Sequence, residues 1–132
     1  KDNISFIITR DKGLPVSIFS DRKKIIQILV NFLANAVKFT SSGEIELKIS
    51  MKDETVIFSV HDTGTGISSE NLDFICEDFR DFDKGQLTGY KRIKRGLTIS
   101  KKLAILLQGN IHVESEQGRG STFSFIIPYF KI

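Results

Sequence analysis

The stretch from Asp21 to Thr40 restricts the fold more than any other part of the chain. Ile25, Ile28, Leu29, Phe32, Leu33, Ala36 and Val37 recur at helical spacing. Counted from Gln27 at 3.6 residues per turn, they fill an arc from roughly 100° to 280°. A helix with so broad an apolar side needs a second layer to cover it. On the remaining face Asn31, Asn35 and Lys38 fall at roughly 40°, 80° and 20°, two amides and an ammonium pointing the same way. One reading makes this stripe a solvated face. Against it, asparagine side chains compete with the backbone and weaken a helix interior, so Lys or Glu would serve solvent better. The other reading makes the stripe a binding wall.

With 132 residues and 40% hydrophobic content, the chain fits one globular domain, residues 1–132, with a single core. At 27% charged residues and without a long biased run, the composition is that of a folded protein. No apolar stretch approaches a bilayer span and the N-terminus has no signal-like character, so the domain is expected outside the membrane. The lone Cys76 excludes an internal disulfide and a cysteine metal cluster, and a reducing, cytoplasmic setting is the simpler fit. The formal charge is only +3, but Lys91, Arg92, Lys94 and Arg95 gather positive charge in one segment. No interleaved aromatics or recognition motif accompany that run, which argues against nucleic acid and leaves phosphate or plain solvation.

In chain order, Ile4 to Thr9 reads as a strand, Lys12 to Pro15 breaks it, and Val16 to Phe19 suggests a short second strand. Ser20 or Asp21 caps the long helix, which runs to about Phe39. Residues 44–50 and 55–61 alternate polar and apolar, as half-buried strands do, around a turn at Lys52 to Glu54. Asp62-Thr-Gly-Thr-Gly66 follows, then a helix capped by Ser68 or Ser69 and ending near Cys76. Between Glu77 and Arg95 the periodicity fails, and connections of that length tend to be functional. A helix is expected over Leu97 to Leu107, stopped by Gly109. Strands at Ile111 to Glu114 and Thr122 to Ile127 close the chain, joined by Glu116 to Ser121. Hairpins at 52–54 and 116–121 argue for a two-layer α/β (α+β) sandwich, helices on one face of a mixed, mainly antiparallel sheet, and against a doubly wound parallel one.

Three weak chemical signals converge. A carboxylate at a strand end, Asp62, can accept from an exocyclic amine, and the glycines after it let a flat ring approach the backbone. The Asn31, Asn35 and Lys38 stripe offers amide oxygens to a hard cation and an ammonium to phosphate, which suits Mg²⁺ when phosphates supply its other ligands. The basic run ends at Gly96, where a helix start would favour an anion. Together these describe a purine, a metal and a phosphate chain.

At this point the motifs become specific. Asn31-x-x-x-Asn35-Ala-x-Lys38-Phe-Thr40 resembles the N box of sensor histidine kinases, within the ATPase superfamily shared with gyrases and heat-shock chaperones. Asp62-Thr-Gly-Thr-Gly66-Ile67 is similar to its first glycine box, and Glu77-Asp-Phe79 to the phenylalanine box. Gly96 to Lys101 resembles the tail of the second glycine box, and Ser115 to Phe123 with Pro128 the closing signature. Order and spacing agree from about Asp21 to Pro128.

That resemblance implies the Bergerat fold, one layer of about three helices on the sheet. It implies an ATP-binding catalytic domain that supplies Mg·ATP for phosphorylating a histidine on a separate dimerisation helix pair. Asn35 would ligate Mg²⁺, with Asn31 beside it near the phosphates, and Lys38 would contact phosphate. Asp62 would recognise the adenine amine, with Gly64, Gly66 and Ile67 along the ring, Thr122 supporting Asp62 from the sheet, and Gly96 and Leu97 on the lid side. The implied partners are those helices and a response-regulator receiver domain, in a homodimeric and membrane-anchored or soluble parent. Where gyrase and chaperone relatives carry a water-activating Glu, this chain has Asn31, which lacks useful basicity, so transfer to a protein acceptor fits better than hydrolysis.

Two positions depart from the pattern. Arg92 and Lys94 stand where the second glycine box has glycines, so either the lid cannot close normally or these cations hold phosphate by another route. Cys76 stands where an aromatic usually opens the phenylalanine box. Neither His61 nor His112 has the setting of a phosphoacceptor; each reads as a structural residue of a strand. A kinase domain is therefore one reading, and a degenerate module that keeps the fold as a docking or regulatory unit is the other.

Overall fold

The computed structural model describes residues 3–14, 20–76 and 88–129. Among them the chain forms strands β1 (Ile4–Arg10), β2 (Gly43–Lys52), β3 (Thr55–Asp62), β4 (Asn110–Glu116) and β5 (Gly120–Pro128), and helices α1 (Arg22–Phe39), α2 (Ser69–Cys76) and α3 (Thr88–Leu106). The sheet order is β1-β2-β3-β5-β4. Only the β1–β2 pair is parallel, its crossover made by α1, while every other pair is antiparallel. This is the two-layer α+β architecture the hairpins implied. The short strand expected at Val16 to Phe19 and the phenylalanine-box residue Phe79 lie outside the described residues.

Asp21 caps α1: its Oδ1 accepts from the backbone N–H groups of Lys23 and Lys24 at 3.1 and 3.3 Å, satisfying donors that have no partner within the helix. The apolar arc then meets the sheet. Phe32 is fully buried, its ring centroid 5.5 Å from that of Phe123 and 6.0 Å from that of Phe125, and Phe58 stacks on Phe125 at 4.6 Å. Along β3 the inward side chains are Val56, Phe58, Val60 and Asp62, all buried, so the strand's period of two delivers a carboxylate to the same face as the core. The order of exposure on α1's polar side follows its wheel. Asn35, nearest the apolar arc, is buried, Asn31 is half-buried, and Lys38 is exposed.

The β2–β3 connection is a two-residue turn in which Asp53 and Glu54 both have positive φ, 51° and 63°, the conformation that matches strand twist in tight hairpins. At the end of α3, Gln108 takes the left-handed φ of 65° and the Gly109 N–H returns to the Ala104 carbonyl at 2.8 Å, which satisfies one of the last carbonyls of the helix. Gly109 serves a different need there, since a Cβ would strike the Ile126 carbonyl.

One boundary differs from expectation. α3 begins at Thr88, nine residues before Leu97. Ile93, Leu97 and Ala104 are buried and Tyr90 is half-buried, so an apolar stripe at three- and four-residue spacing runs on through the segment that resembles a glycine box. Side-chain burial overrides the two poor helix formers, Gly89 and Gly96.

Candidate functional site

Asp62 ends β3 only 1% exposed. Its Oδ1 accepts from the backbone N–H of Gly64 at 2.9 Å, while Oδ2 is buried without a hydrogen-bond partner. The Ser121 backbone N–H and the buried Thr40 hydroxyl also act on the carboxyl, but neither gives Oδ2 a well-formed bond. Burial pushes the Asp62 pKa above the usual carboxylate value, and the Gly64 bond is the largest influence holding it down. The result is a desolvated acceptor with one oxygen unspent, the complement of an amine donor.

The loop after Asp62 is fastened on three sides. Thr63 N bonds the Glu44 carbonyl of β2 at 3.1 Å, and its hydroxyl accepts from Glu44 N at 2.9 Å. Thr65 N bonds the Phe39 carbonyl at the end of α1 at 3.0 Å, and Gly118 N, in the β4–β5 turn, bonds the Thr65 carbonyl at 2.7 Å. Ile67 N bonds the Ser115 hydroxyl at 2.7 Å. Glycine is required at two of these positions: a Cβ on Gly64 would meet the Phe39 carbonyl, and one on Gly66, whose φ is +70°, would meet the Glu116 carbonyl. Asp62, Gly64, Gly66 and Ile67 thus form one continuous unit, with Ile67 buried in the core beneath it.

On the helical wall, Asn35 is 6% exposed and its Nδ2 has no hydrogen-bond partner, an unspent donor of the kind a phosphate oxygen or a metal-bound water would satisfy. Asn31 Nδ2 donates to the Ser100 hydroxyl of α3 at 2.9 Å, and a Cβ on Gly96 would run into the same amide. So Gly96 lies inside a helix, packed on Asn31. The anion-favouring helix start expected at that position is not there. Tyr90 stacks on Phe39 with centroids 6.0 Å apart. With Gly96 on Asn31, this contact sets α3 antiparallel along α1. Leu97 belongs to the core. Lys38 sits exposed in the last turn of α1, where a cation also suits the helix dipole.

The two departures take defined places. Neither Arg92 nor Lys94 has positive φ; both are residues of α3. Lys94 is 2% exposed with its Nζ 4.4 Å from the Phe74 ring centroid of α2, which holds a buried ammonium by its attraction to the ring face. Cys76 is a free cysteine in an exposed position, and partial desolvation of its thiol raises the pKa.

Thr122 does not support Asp62. Its hydroxyl lies 2.7 Å from His61 Nδ1 on the open face of the sheet, and the residue opposite Asp62 is Ser121. A register shift of one residue reverses the face, and register is what the sequence did not reveal. Ser115, Ser121 and Thr40 are the residues that sequence reasoning passed over. Each lies within or beside a quoted motif, but only the strand pairing turns Ser115 and Ser121 toward the loop and Asp62, and Thr40 reaches the carboxyl from the C-cap of α1. The second histidine, His112, bonds Glu114 at 2.9 Å on the exposed edge strand.

Among solved structures, the full-length ShkA in complex with AMPPNP superposes with a TM-score of 0.80 at 34% identity, over 98% of this chain and 26% of that one. The catalytic domain of histidine kinase ThkA gives 0.75 at 28% identity, over 96% and 79%. Hybrid signal transduction histidine kinase B of Dictyostelium discoideum is 39% identical over 123 residues, 89% of this chain and 6% of the relative. The autoinducer 2 sensor kinase/phosphatase LuxQ of Vibrio parahaemolyticus is 36% identical over 131 residues, 95% and 15%. The chain therefore spans only 6% and 15% of the length of these two kinases. Residues 20–131 match the family described as Histidine kinase-, DNA gyrase B-, and HSP90-like ATPase, and the chain belongs to that family as an ATPase domain of the histidine-kinase type.

Proposed function

We propose that this domain binds Mg·ATP and presents its γ-phosphoryl group to a histidine on a dimerisation helix pair of the same parent protein, a homodimer that passes the group to a receiver domain. The observation that carries the nucleotide reading is Asp62, a buried carboxylate with Oδ2 unspent beside a glycine loop held open by its neighbours. An adenine amine would supply the missing donor. Gly64 and Gly66 let the ring lie against the backbone.

The residues fit a magnesium ion that arrives with phosphate. Asn35 would lend its amide oxygen, and its unspent Nδ2 favours phosphate oxygens alongside. The described residues hold no cluster of three or more His, Cys, Asp or Glu, so two neutral amides cannot fix the ion alone, and the nucleotide must bring most of the charge. When bound, the metal would offset charge on the transferring group. Lys38 would hold a phosphate oxygen at the rim. Asn31, an amide already donating to Ser100, accepts no proton from water, so the site favours transfer over hydrolysis. The docking-module reading draws only on the helical course of residues 88–96 and gains nothing from the relatives. No helix among the described residues is long and apolar enough to cross a membrane, which leaves β-barrels unaddressed; a cytoplasmic position is part of this proposal.

Calorimetric titration with ATP, with and without Mg²⁺, tests the metal side. Asn35→Ala is expected to weaken Mg·ATP binding about tenfold, and metal-free binding clearly less, since only the Nδ2 contact to phosphate is lost there. Equal losses with and without the ion would remove Asn35 from the metal.

A further inference from the structure

We propose that Ser115 is a positioning residue of the adenine subsite, its one hydroxyl setting the distance between the Asp62 carboxylate and the Gly66–Ile67 backbone. The inference rests on the nucleotide reading above.

The hydroxyl of Ser115 makes three contacts: Ile67 N at 2.7 Å, the Gly120 carbonyl at 3.1 Å and Ser121 Oγ at 2.7 Å. A hydroxyl has one hydrogen and two lone pairs. Its hydrogen goes to Gly120, so it accepts from Ile67 N, and the Ser121 hydroxyl must be the donor in the third bond. Every capacity of Ser115 is used and every direction is fixed.

What it joins gives the network its meaning. On one side is the loop wall: Ile67 N follows Gly66, whose absent Cβ leaves room only for the Glu116 carbonyl. On the other is the carboxylate wall. Ser121 is the strand partner of Asp62 and is 1% exposed, its backbone N–H acts on the Asp62 carboxyl, and a Cβ on Gly120 would strike the Asp62 carbonyl. No backbone hydrogen bond runs directly from Ile67 to β5. The Gly118 N–H ties the loop to the β4–β5 turn through the Thr65 carbonyl, and at Ile67, where the loop meets β5, one side-chain oxygen couples the two walls between which a base would lie.

Such a residue acts on discrimination as well as affinity. Adenine places an amine donor where guanine places a carbonyl acceptor, so a correctly spaced Asp62 favours ADP over GDP. A loosened loop lets either base find a compromise position. Loss of folded protein, by contrast, lowers both affinities equally and leaves their ratio unchanged.

The experiment measures the dissociation constants of ADP and GDP for the parent, Ser115→Ala, Ser115→Thr and Ser121→Ala, with melting temperatures alongside. In Ser115→Ala the ADP preference is expected to fall about threefold or more, a partial loss of hydrogen-bond discrimination. Ser115→Thr, which keeps the hydroxyl, is expected to restore it, and Ser121→Ala, which removes one bond of three, to fall between. An unchanged ADP:GDP ratio in Ser115→Ala, whatever its melting temperature, would overturn the proposal. If that variant does not fold, an unchanged ratio in Ser121→Ala overturns it. A parent that prefers ADP while the ratio stays fixed defeats only this inference; a parent that binds neither nucleotide defeats the nucleotide reading and this inference with it.

Discussion

Gly64 donates its backbone N–H to Asp62 Oδ1 at 2.9 Å, so the glycine loop turns back onto the carboxylate that precedes it. One oxygen is thereby fixed and the other left buried without a partner. A fold that tolerates such an atom carries a cost of about 1–3 kcal/mol for the unsatisfied group.

Stability should record that cost as a function of pH. The folded-state pKa of Asp62 is raised by burial, so between the unfolded value and the raised one the native state holds more protons. Stability contributed at this site is then present below the unfolded pKa and lost as pH rises through the folded one. Asp62→Asn removes the titration. Chemical denaturation of the two proteins should show the gap between them shifting toward the variant as pH rises from acid to neutral. A gap independent of pH contradicts the assignment.

Gly96 and Asn31 form a second testable pair. In an exposed helix interior Gly→Ala gains about 1 kcal/mol, but here a Cβ would displace the Asn31 amide from its bond to Ser100. Gly96→Ala in the parent is expected to destabilise by about 1–2 kcal/mol, as overpacking does. In an Asn31→Ala background the same change should stabilise. Urea unfolding of the four proteins of the cycle decides; the same sign in both backgrounds would mean that α3 does not pack on Asn31.

The glycines of the site should rank by their surroundings. Gly66 and Gly118 both have positive φ, 70° and 88°, but a Cβ on Gly118 meets nothing within 4 Å whereas one on Gly66 meets the backbone of Glu116 and Gln117. Gly118→Ala should cost only the left-handed conformation, about 1–2 kcal/mol, and Gly66→Ala clearly more, with nucleotide binding lost alongside. Equal costs in thermal or urea unfolding would contradict the placement of the loop against β4.

Much of this was legible in the sequence. The wheel of α1 ordered Asn35, Asn31 and Lys38 as the structure does, because 3.6-residue periodicity and burial are one constraint. Alternation in β2 and β3 revealed their faces, and Asp62 followed from the end of that alternation. What stayed hidden depends on pairing between distant segments. Thr122 and Ser121 are neighbours in sequence, and only the register of β5 against β3 decides which of them faces Asp62. The start of α3 was hidden for another reason: its two glycines and its four basic residues read as a loop, whereas Tyr90, Ile93 and Leu97 continue the stripe of a helix whose burial outweighs them.

The most direct test is calorimetric titration of ADP into the parent protein and into Asp62→Ala. The account predicts measurable heat of binding for the parent and at least a tenfold weaker affinity for the variant, the loss expected when a buried acceptor for the base amine is removed. No heat with the parent at millimolar nucleotide, or equal affinities for the two proteins, would contradict it.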